Sequence, residues 1–437
     1  MVNVELKWEP HDEQRKFLDR DERFRVLCWG RRSGKNEAAL IDLFVFAVEN
    51  PDSTCWWVSP SYTQSNDYGF DRLVEIVPEV LLDGDPKRSA PREVQFINGS
   101  VVVFKSADRP KTLKGGGVAH CVLDEAASIP SGVWHEYVRP TLSDKPIGDA
   151  VILSTPKSKN WFHDVFRKGQ DESVGGYWSS HATTFVNPFV PDSEVEAAKG
   201  ELPTRIFEQE YLAEWQQDGG SVFPEISIGS YSMDGYEGES PFSIGVDFAR
   251  HEAYTAVVVL DAVGRVADTR RTQAVSWREI QGMIEGVADR YAPNTVRVDA
   301  TRDNKITEDL RRESGLTVEG VSFSGGRKRE LIENLAATME QGEIEVASDA
   351  GQLQRELEAF EYSVTSRGHP QYSAPSDMDD DMVDAAALAA HQDFTDRENK
   401  SVLTPVLGSV RRGSSGRRSA RSKTAQAERQ LERLRHN

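Results

Sequence analysis

No apolar run in these 437 residues approaches the ~18–20 that a membrane-crossing helix needs. The opening residues, MVNVELKWEPHDEQ, also lack the apolar core of a secretion signal. Both absences predict a chain that works inside the cell. Cysteine is scarce: Cys28, Cys55 and Cys121 each lie in a strand-like apolar run, with no CxxC pair. That argues against disulfides and cysteine-ligated zinc, and for buried, reduced thiols. Positive charge is short as well, with 52 Lys and Arg against 71 Asp and Glu and a formal net charge of -19. Phosphate contacts need cations, so a nucleic-acid partner must be met by local patches rather than by the field of the whole chain. Arg outnumbers Lys 36 to 16, and acid is spread throughout. This pattern predicts adaptation to a salt-rich cytoplasm, the alternative being an ordinary acidic protein.

What is present is a globular composition, 38% hydrophobic and 28% charged. The length exceeds what one core serves, so two domains are expected. In the first half, FRVLCWG (24–30) reads as a strand, followed by a Gly/Arg/Ser turn and a helical pattern from Glu37 to Val48. Further strand-like runs are 55–59, 94–106, 119–125 and 149–155, with helical stretches between several of them. Such alternation indicates a largely parallel α/β sheet. Residues 193–215 read as a helical closing segment, and QQDGGSVFPE (216–225) as a linker. A second pattern then begins with a β-meander, 243–249 and 253–271, turning at Ala262–Gly264. A helix (Trp277–Tyr291), a strand (294–301), another helix and the Ala-rich DMVDAAALAAHQ (381–392) complete a second α/β domain. From about Arg397 the chain becomes basic and Ser/Gly-rich, a composition expected to be disordered.

The segment Gly30-Arg31-Arg32-Ser33-Gly34-Lys35-Asn36 sits between strand and helix, where a phosphate-binding loop must sit. There backbone N–H groups and the helix N-terminus face phosphates, and Lys35 reaches the β- and γ-oxygens. The pattern is imperfect: Trp29 stands where GxxxxGK[ST] begins, and Asn36 replaces the hydroxyl residue that helps hold magnesium. About ninety residues on, the apolar AHCVLDEAA ends in Asp124-Glu125. Asp124 suits a water-mediated magnesium contact, and Glu125 suits orienting or deprotonating an attacking water. Gln14 is a candidate adenine reader or an exposed helical glutamine. Ser154-Thr155 is a γ-phosphate sensor or a strand-ending turn. Arg139 is an arginine finger or a surface ion-pair residue.

Three acidic segments mark the second half. Asp247 (IGVDFA) and Asp299 (VRVDAT) each sit on a short apolar strand, and Asp377, Asp379, Asp380, Asp381 and Asp384 crowd the start of the Ala-rich helix. Strand carboxylates are costly to bury unless neutralised. Converging from separate segments, they can bind two Mg²⁺ or Mn²⁺ ions that activate water and stabilise the leaving oxygen in phosphodiester cleavage. Glu252, near the first of these strands, is a solvent-exposed acid or an auxiliary candidate. The basic turn Ser324-Gly325-Gly326-Arg327-Lys328-Arg329 is a DNA-backbone contact or a plain helix-capping loop.

Over roughly residues 10–395 the chain resembles phage-type large terminase subunits. GRRSGKN, VLDEA, ILSTP, the segment NPF…IFEQEYLAEW (187–215), GGSVFPE and the three acidic segments carry the likeness. The resemblance implies an ASCE-type P-loop ATPase domain (1–215), a linker (216–240), a ribonuclease-H-like nuclease domain (241–396) and a basic flexible tail (397–437). It places Asp380-Asp381 on the family's acidic pair, with Asp381 favoured and Asp384 its rival. It implies ATP-driven packaging of double-stranded DNA into the procapsid and cleavage of concatemers. It further implies a homo-pentamer on the portal protein, a small terminase subunit as partner, and Arg139 acting on a neighbour's ATP. Trp29 fits the family's shortened loops, whereas Asn36 departs from them. A host helicase-nuclease and a non-catalytic nucleotide- and DNA-binding protein stay open as rivals; the first would need a second ATPase-like lobe, and residues 240–395 show no sign of one.

Overall fold

The first lobe is built on seven strands: β1 (Phe24–Trp29), β2 (Thr54–Ser59), β3 (Arg92–Gln95), β4 (Val101–Ser106), β5 (His120–Leu123), β6 (Asp149–Ser154) and β7 (Tyr177–Ala182). The computed structural model describes residues 8–391 except 145–147, 158, 217–218, 249–253, 274–275, 302–303, 324–325, 365–369 and 376–377; Glu252, Ser324, Gly325, Asp377 and the basic tail therefore lie outside the described residues. The strands run in the order β3-β4-β2-β5-β6-β1-β7. All pairs are parallel except the β3–β4 hairpin. Both faces are covered, which is why β1 is buried along its whole length. The polar β7, YWSSHA, was not legible as a strand; it adds beside β1 because β1 offers it a full parallel edge.

Cys28, Cys55 and Cys121 are buried and unpaired, and burial pushes each thiol well up, as the apolar runs around them predict. Helices Asp192–Glu201 and Thr204–Glu210 close the lobe, ending five residues before the predicted 215.

The segment expected as a linker is partly built into the second lobe. Its β8 (Gly220–Ser221) pairs with β14 (Glu361–Val364) of the hairpin completed by β15 (Pro370–Ser373). Val222 and Phe223 enter that lobe's core. The main sheet there comprises β9 (Ser243–Asp247), β10 (Tyr254–Leu260), β11 (Val266–Gln273), β12 (Thr295–Asp299) and β13 (Val318–Val321), in the order β11-β10-β9-β12-β13. The first three are antiparallel and the last two parallel to β9. Helix Trp277–Tyr291 packs one face; helices Gly326–Glu340, Gly351–Ala359 and Asp381–Ala389 pack the other. Residues up to His391 form one unit holding both lobes. Arg205 joins them, its guanidinium 4.0 Å from the Tyr362 ring and bonded to the Tyr372 hydroxyl at 3.0 Å.

A buried ion cluster fixes the helix Lys35–Glu49 on the first sheet. Asp42 accepts a bidentate pair from Arg25 of β1 (2.7 and 3.0 Å) and lies 3.2 Å from His120 of β5, whose other nitrogen meets Asp149 of β6. Burial lowers His120's proton affinity, but Asp149 and Asp42 reverse this and raise it to about 9. Because this exceeds the unfolded value, its contribution is complete below about pH 6.5 and is lost as pH rises through about 9. Thermal melts from pH 7 to pH 10 should therefore show falling stability that largely disappears in His120→Asn. A variant with the wild-type slope would remove His120 as its cause.

Candidate active sites

The first site forms at the C-terminal ends of β1, β6 and β5, which are consecutive in the sheet. Gly34 begins the helix at φ +92°, a left-handed conformation that glycine adopts without steric cost. The first N–H groups of that helix have no intrahelical acceptor, so they form an anion-facing terminus. Four successive loop carbonyls are held from outside. Arg31 O accepts from Thr184 Oγ1 (2.7 Å), Arg32 O from Asn187 Nδ2 (2.7 Å), and Gly34 O from Gln14 Nε2 (2.9 Å). Ser33 O pairs with His11 Nε2 at 2.9 Å. Pinning carbonyls outward orients the peptide N–H groups inward, the polarity a phosphate requires.

Gln14 is thus buried and engaged with the loop, and its Oε1 also accepts the His11 N–H at 3.0 Å. The exposed alternative is excluded. His11, Thr184 and Asn187 were not singled out in the sequence, since side-chain-to-carbonyl contacts across distant segments leave no local pattern.

Lys35 is buried, its Nζ 3.4 Å from Gly30 O. Asn36, the departure from the usual hydroxyl residue, ties the loop to the acidic strand end: Nδ2 donates to Asp124 Oδ1 at 2.8 Å, and Ser59 Oγ donates to Oδ2 at 3.2 Å. Burial first, then the neighbouring Glu125, raises the Asp124 carboxyl to about 7, against the opposing pull of Lys35, Ser59 and Asn36. A buried carboxylate beside a second acid, with oxygen donors around it, fits a hard cation such as Mg²⁺. Glu125 is held at φ +49° and accepts from Ser154 Oγ at 3.3 Å. Thr155 is buried at the end of β6. Glu210, not foreseen, accepts the Arg31 N–H through its carbonyl at 2.6 Å and pairs with Lys157 at 3.1 Å. Arg139 is not brought to this loop. It packs on Phe24 and donates to Tyr177 Oη, at the opposite end of β1 and roughly 17 Å away by strand rise.

The second site lies where β9 and β12 end. Val246 and Val298 are register partners, so Asp247 and Asp299, one residue on, sit side by side. Strand alternation puts both on the sheet face opposite Val246 and Val298, the face covered by the Ala-rich helix. That helix can approach closely because Gly245 lies beneath it; a Cβ there would collide with Ala385 O. The contact presents Asp381 and Asp384, both buried, to the strand acids. Burial raises the Asp247 carboxyl well above its ordinary value, and the field of Asp384 adds more than those of Asp299 or Asp381. Asp384 is raised to about 7, mainly by burial. Asp381, the favoured member by resemblance, acts on Asp247 less than Asp384 or Asp299 does and lies 3.5 Å from Arg271. Arg271 also contacts Asp379 and the fully buried Glu356, both outside the predicted catalytic set.

Lys328 turns into this cluster, bonding Asp384 (2.7 Å) and Asp380 (3.1 Å). Arg327 pairs with Glu330, and Arg329 with Glu333. Successive helix residues point about 100° apart, so the predicted basic turn does not form a single DNA-facing surface. Among the described residues no three His, Cys, Asp or Glu side chains form a closed metal-ligand set. Even so, Asp384 Oδ1 and Asp381 Oδ2 are buried without hydrogen-bond partners. Asp384 Oδ1, a hard oxygen in the field of Asp380 and Asp299, fits divalent Mg²⁺ or Mn²⁺, whereas Asp381 Oδ2 keeps Arg271 at 3.5 Å.

Carboxyls raised on folding contribute stability only at acid pH and lose it as pH rises through about 7, so at neutral pH the cluster destabilises the fold. Asp247→Asn should raise the melting temperature in chelator by a few degrees and abolish any rise on adding Mn²⁺. A lower melting temperature in chelator would contradict this.

Comparison with known proteins follows the same two halves. The family "Terminase large subunit, T4likevirus-type, N-terminal" matches residues 26–230, and "Terminase RNaseH-like domain" matches residues 244–392. The terminase large subunit of Thermus phage G20c is 29% identical over 439 aligned positions, covering 89% of this chain and 88% of that protein. That of Escherichia phage T5 is 25% identical, covering 82% and 85%. The solved large terminase of a thermophilic bacteriophage shares the fold at a TM-score of 0.58 and 13% identity, covering 87% of this chain and 98% of that one. With both halves matched in order along one polypeptide, the chain belongs to the family of large terminase subunits.

Proposed function

We propose that the chain hydrolyses ATP at the loop 30–36 to drive viral double-stranded DNA into a procapsid, and cuts concatemeric DNA at the Asp247–Asp299–Asp384 cluster. The observation that carries this reading is the Asn36–Asp124 hydrogen bond, which joins the phosphate loop to the acidic strand end despite the altered loop residue. In the first lobe, loop N–H groups and Lys35 bind the β- and γ-phosphates, Asn36 and Asp124 hold Mg²⁺, and Glu125 orients the attacking water. Ser154 steadies Glu125 by its hydrogen bond, and Thr155 faces the γ-phosphate. Arg139 is remote from its own loop and would serve a neighbouring subunit's nucleotide; the family likeness supports such a ring as a homo-pentamer on the portal, with a small terminase subunit as partner.

In the second lobe Asp247, Asp299 and Asp384 hold one or two Mg²⁺ or Mn²⁺ ions, with Asp380 and Asp381 at their margin. Bound there, such ions lower the pKa of water and stabilise the leaving oxygen. Lys328 balances the acids, and either Arg327 or Arg329, which point to different sides of their helix, meets the DNA backbone. The domain limits 1–215, 216–240 and 241–396 remain our reading, with the segment from 220 counted towards the nuclease side. Work at the portal in the host cytoplasm follows from this role. The acidic, Arg-rich composition suits a salt-rich host, which nuclease activity retained in molar salt would support.

Lys35→Ala and Glu125→Gln should each abolish ATP turnover, measured as phosphate release. Asp299→Ala should abolish plasmid cleavage with Mg²⁺ or Mn²⁺ while leaving ATP turnover intact. Normal hydrolysis by both loop-site variants would remove the motor assignment.

A further inference from the structure

The segment Asn187-Pro188-Phe189 is among the features the family likeness rests on, yet no step above uses its phenylalanine. We propose that Phe189 is the stacking platform for the purine base of the bound nucleotide, with Asn187 as the residue that positions it. This rests on the nucleotide-site reading and deepens it.

The direction of the nucleotide comes first. The reacting γ-phosphate must face Asp124 and Glu125, at the end of β5, and β6 lies between β5 and β1. A triphosphate running over the loop from that side therefore delivers its nucleoside on the far side of β1. That side belongs to β7, and the chain leaving β7 is residues 183–191.

The anchoring comes second. The Asn187 amide works in both directions: Nδ2 donates to Arg32 O of the phosphate loop at 2.7 Å, and Oδ1 accepts the Phe189 N–H at 3.0 Å. One side chain thus holds the Phe189 backbone within about 8 Å of the loop carbonyl. Thr184 adds a second tie, to Arg31 O. The segment is consequently registered to the phosphate loop itself.

The surface comes third. Phe189 is 77% exposed, and Phe185, on the same segment, is 39% exposed. A flat aromatic face left in water beside a phosphate site matches what a base offers in return. The competing reader, Gln14, already spends its amide on Gly34 O and its carbonyl on the His11 N–H. Recognition by a ring face rather than by hydrogen bonds to the base edge predicts tolerance among purines.

Titration calorimetry on the full chain should use ADP, GDP and inorganic tripolyphosphate. Phe189→Ala should weaken ADP and GDP alike by about tenfold, leave tripolyphosphate within about twofold, and be rescued by Phe189→Trp. ADP affinity equal to wild type in Phe189→Ala would overturn the platform, and so would an equal loss of tripolyphosphate, which would signal a disturbed loop. Lys35→Ala separates the two readings, because it should lose tripolyphosphate as well. If wild-type chain binds neither ligand, the nucleotide site itself is refuted and the platform with it.

Discussion

Carboxylates from three distant segments stand within one another's field, Asp247 and Asp384 buried and Asp299 half-buried, and the second lobe is arranged around that repulsion. Asp247 and Asp299 are forced together by the parallel register of β9 and β12, and Asp384 is pressed onto them by a helix that lies directly on Gly245. The alanine content of that helix has its reason here: only small side chains allow so close an approach. Among the described residues Lys328 supplies the one positive charge bonded to Asp384, and the remaining imbalance is what a divalent ion would settle. The first lobe solves a milder form of the same problem, one buried acid beside another, with Lys35, Asn36 and Ser59 around Asp124. Both active centres are therefore places where the fold holds charge that it cannot neutralise by itself.

Much of this was legible because it is local. The strand–loop–helix around Lys35 and the apolar strand ending in Asp124-Glu125 announce themselves through periodicity and composition, as do the two strand aspartates. The helix Trp277–Tyr291 matches its sequence pattern to the residue. What escaped is non-local or depends on orientation. The loop's braces, His11, Thr184 and Asn187, reach main-chain carbonyls from segments up to 155 positions away. The choice between Asp381 and Asp384 hangs on which helix face meets Asp247, and Lys328 reads as a DNA contact until its direction is known. Arg139 looks like an arginine finger in sequence, and only the strand direction shows that it stands far from its own loop.

The segment between the lobes carries a misleading local signal for a related reason. Gly and Pro in QQDGGSVFPE signal a linker, yet Val222 and Phe223 are core residues and β8 extends the β14–β15 hairpin. A contact path follows from this packing. Helix Thr204–Glu210 touches the phosphate loop through Glu210 and the hairpin through Arg205; Tyr372 then bonds Glu333, on the helix that carries Lys328. The two centres are therefore joined by side chains with specific geometry.

The most direct test of the account is anomalous scattering from Mn²⁺ in crystals of the full chain. Density bounded by Asp247, Asp299 and Asp384 is the predicted result, with Lys328 withdrawn from Asp384. Density confined to Asp379 and Asp380 at the helix margin, or carboxylates that stay apart at saturating Mn²⁺, would contradict it.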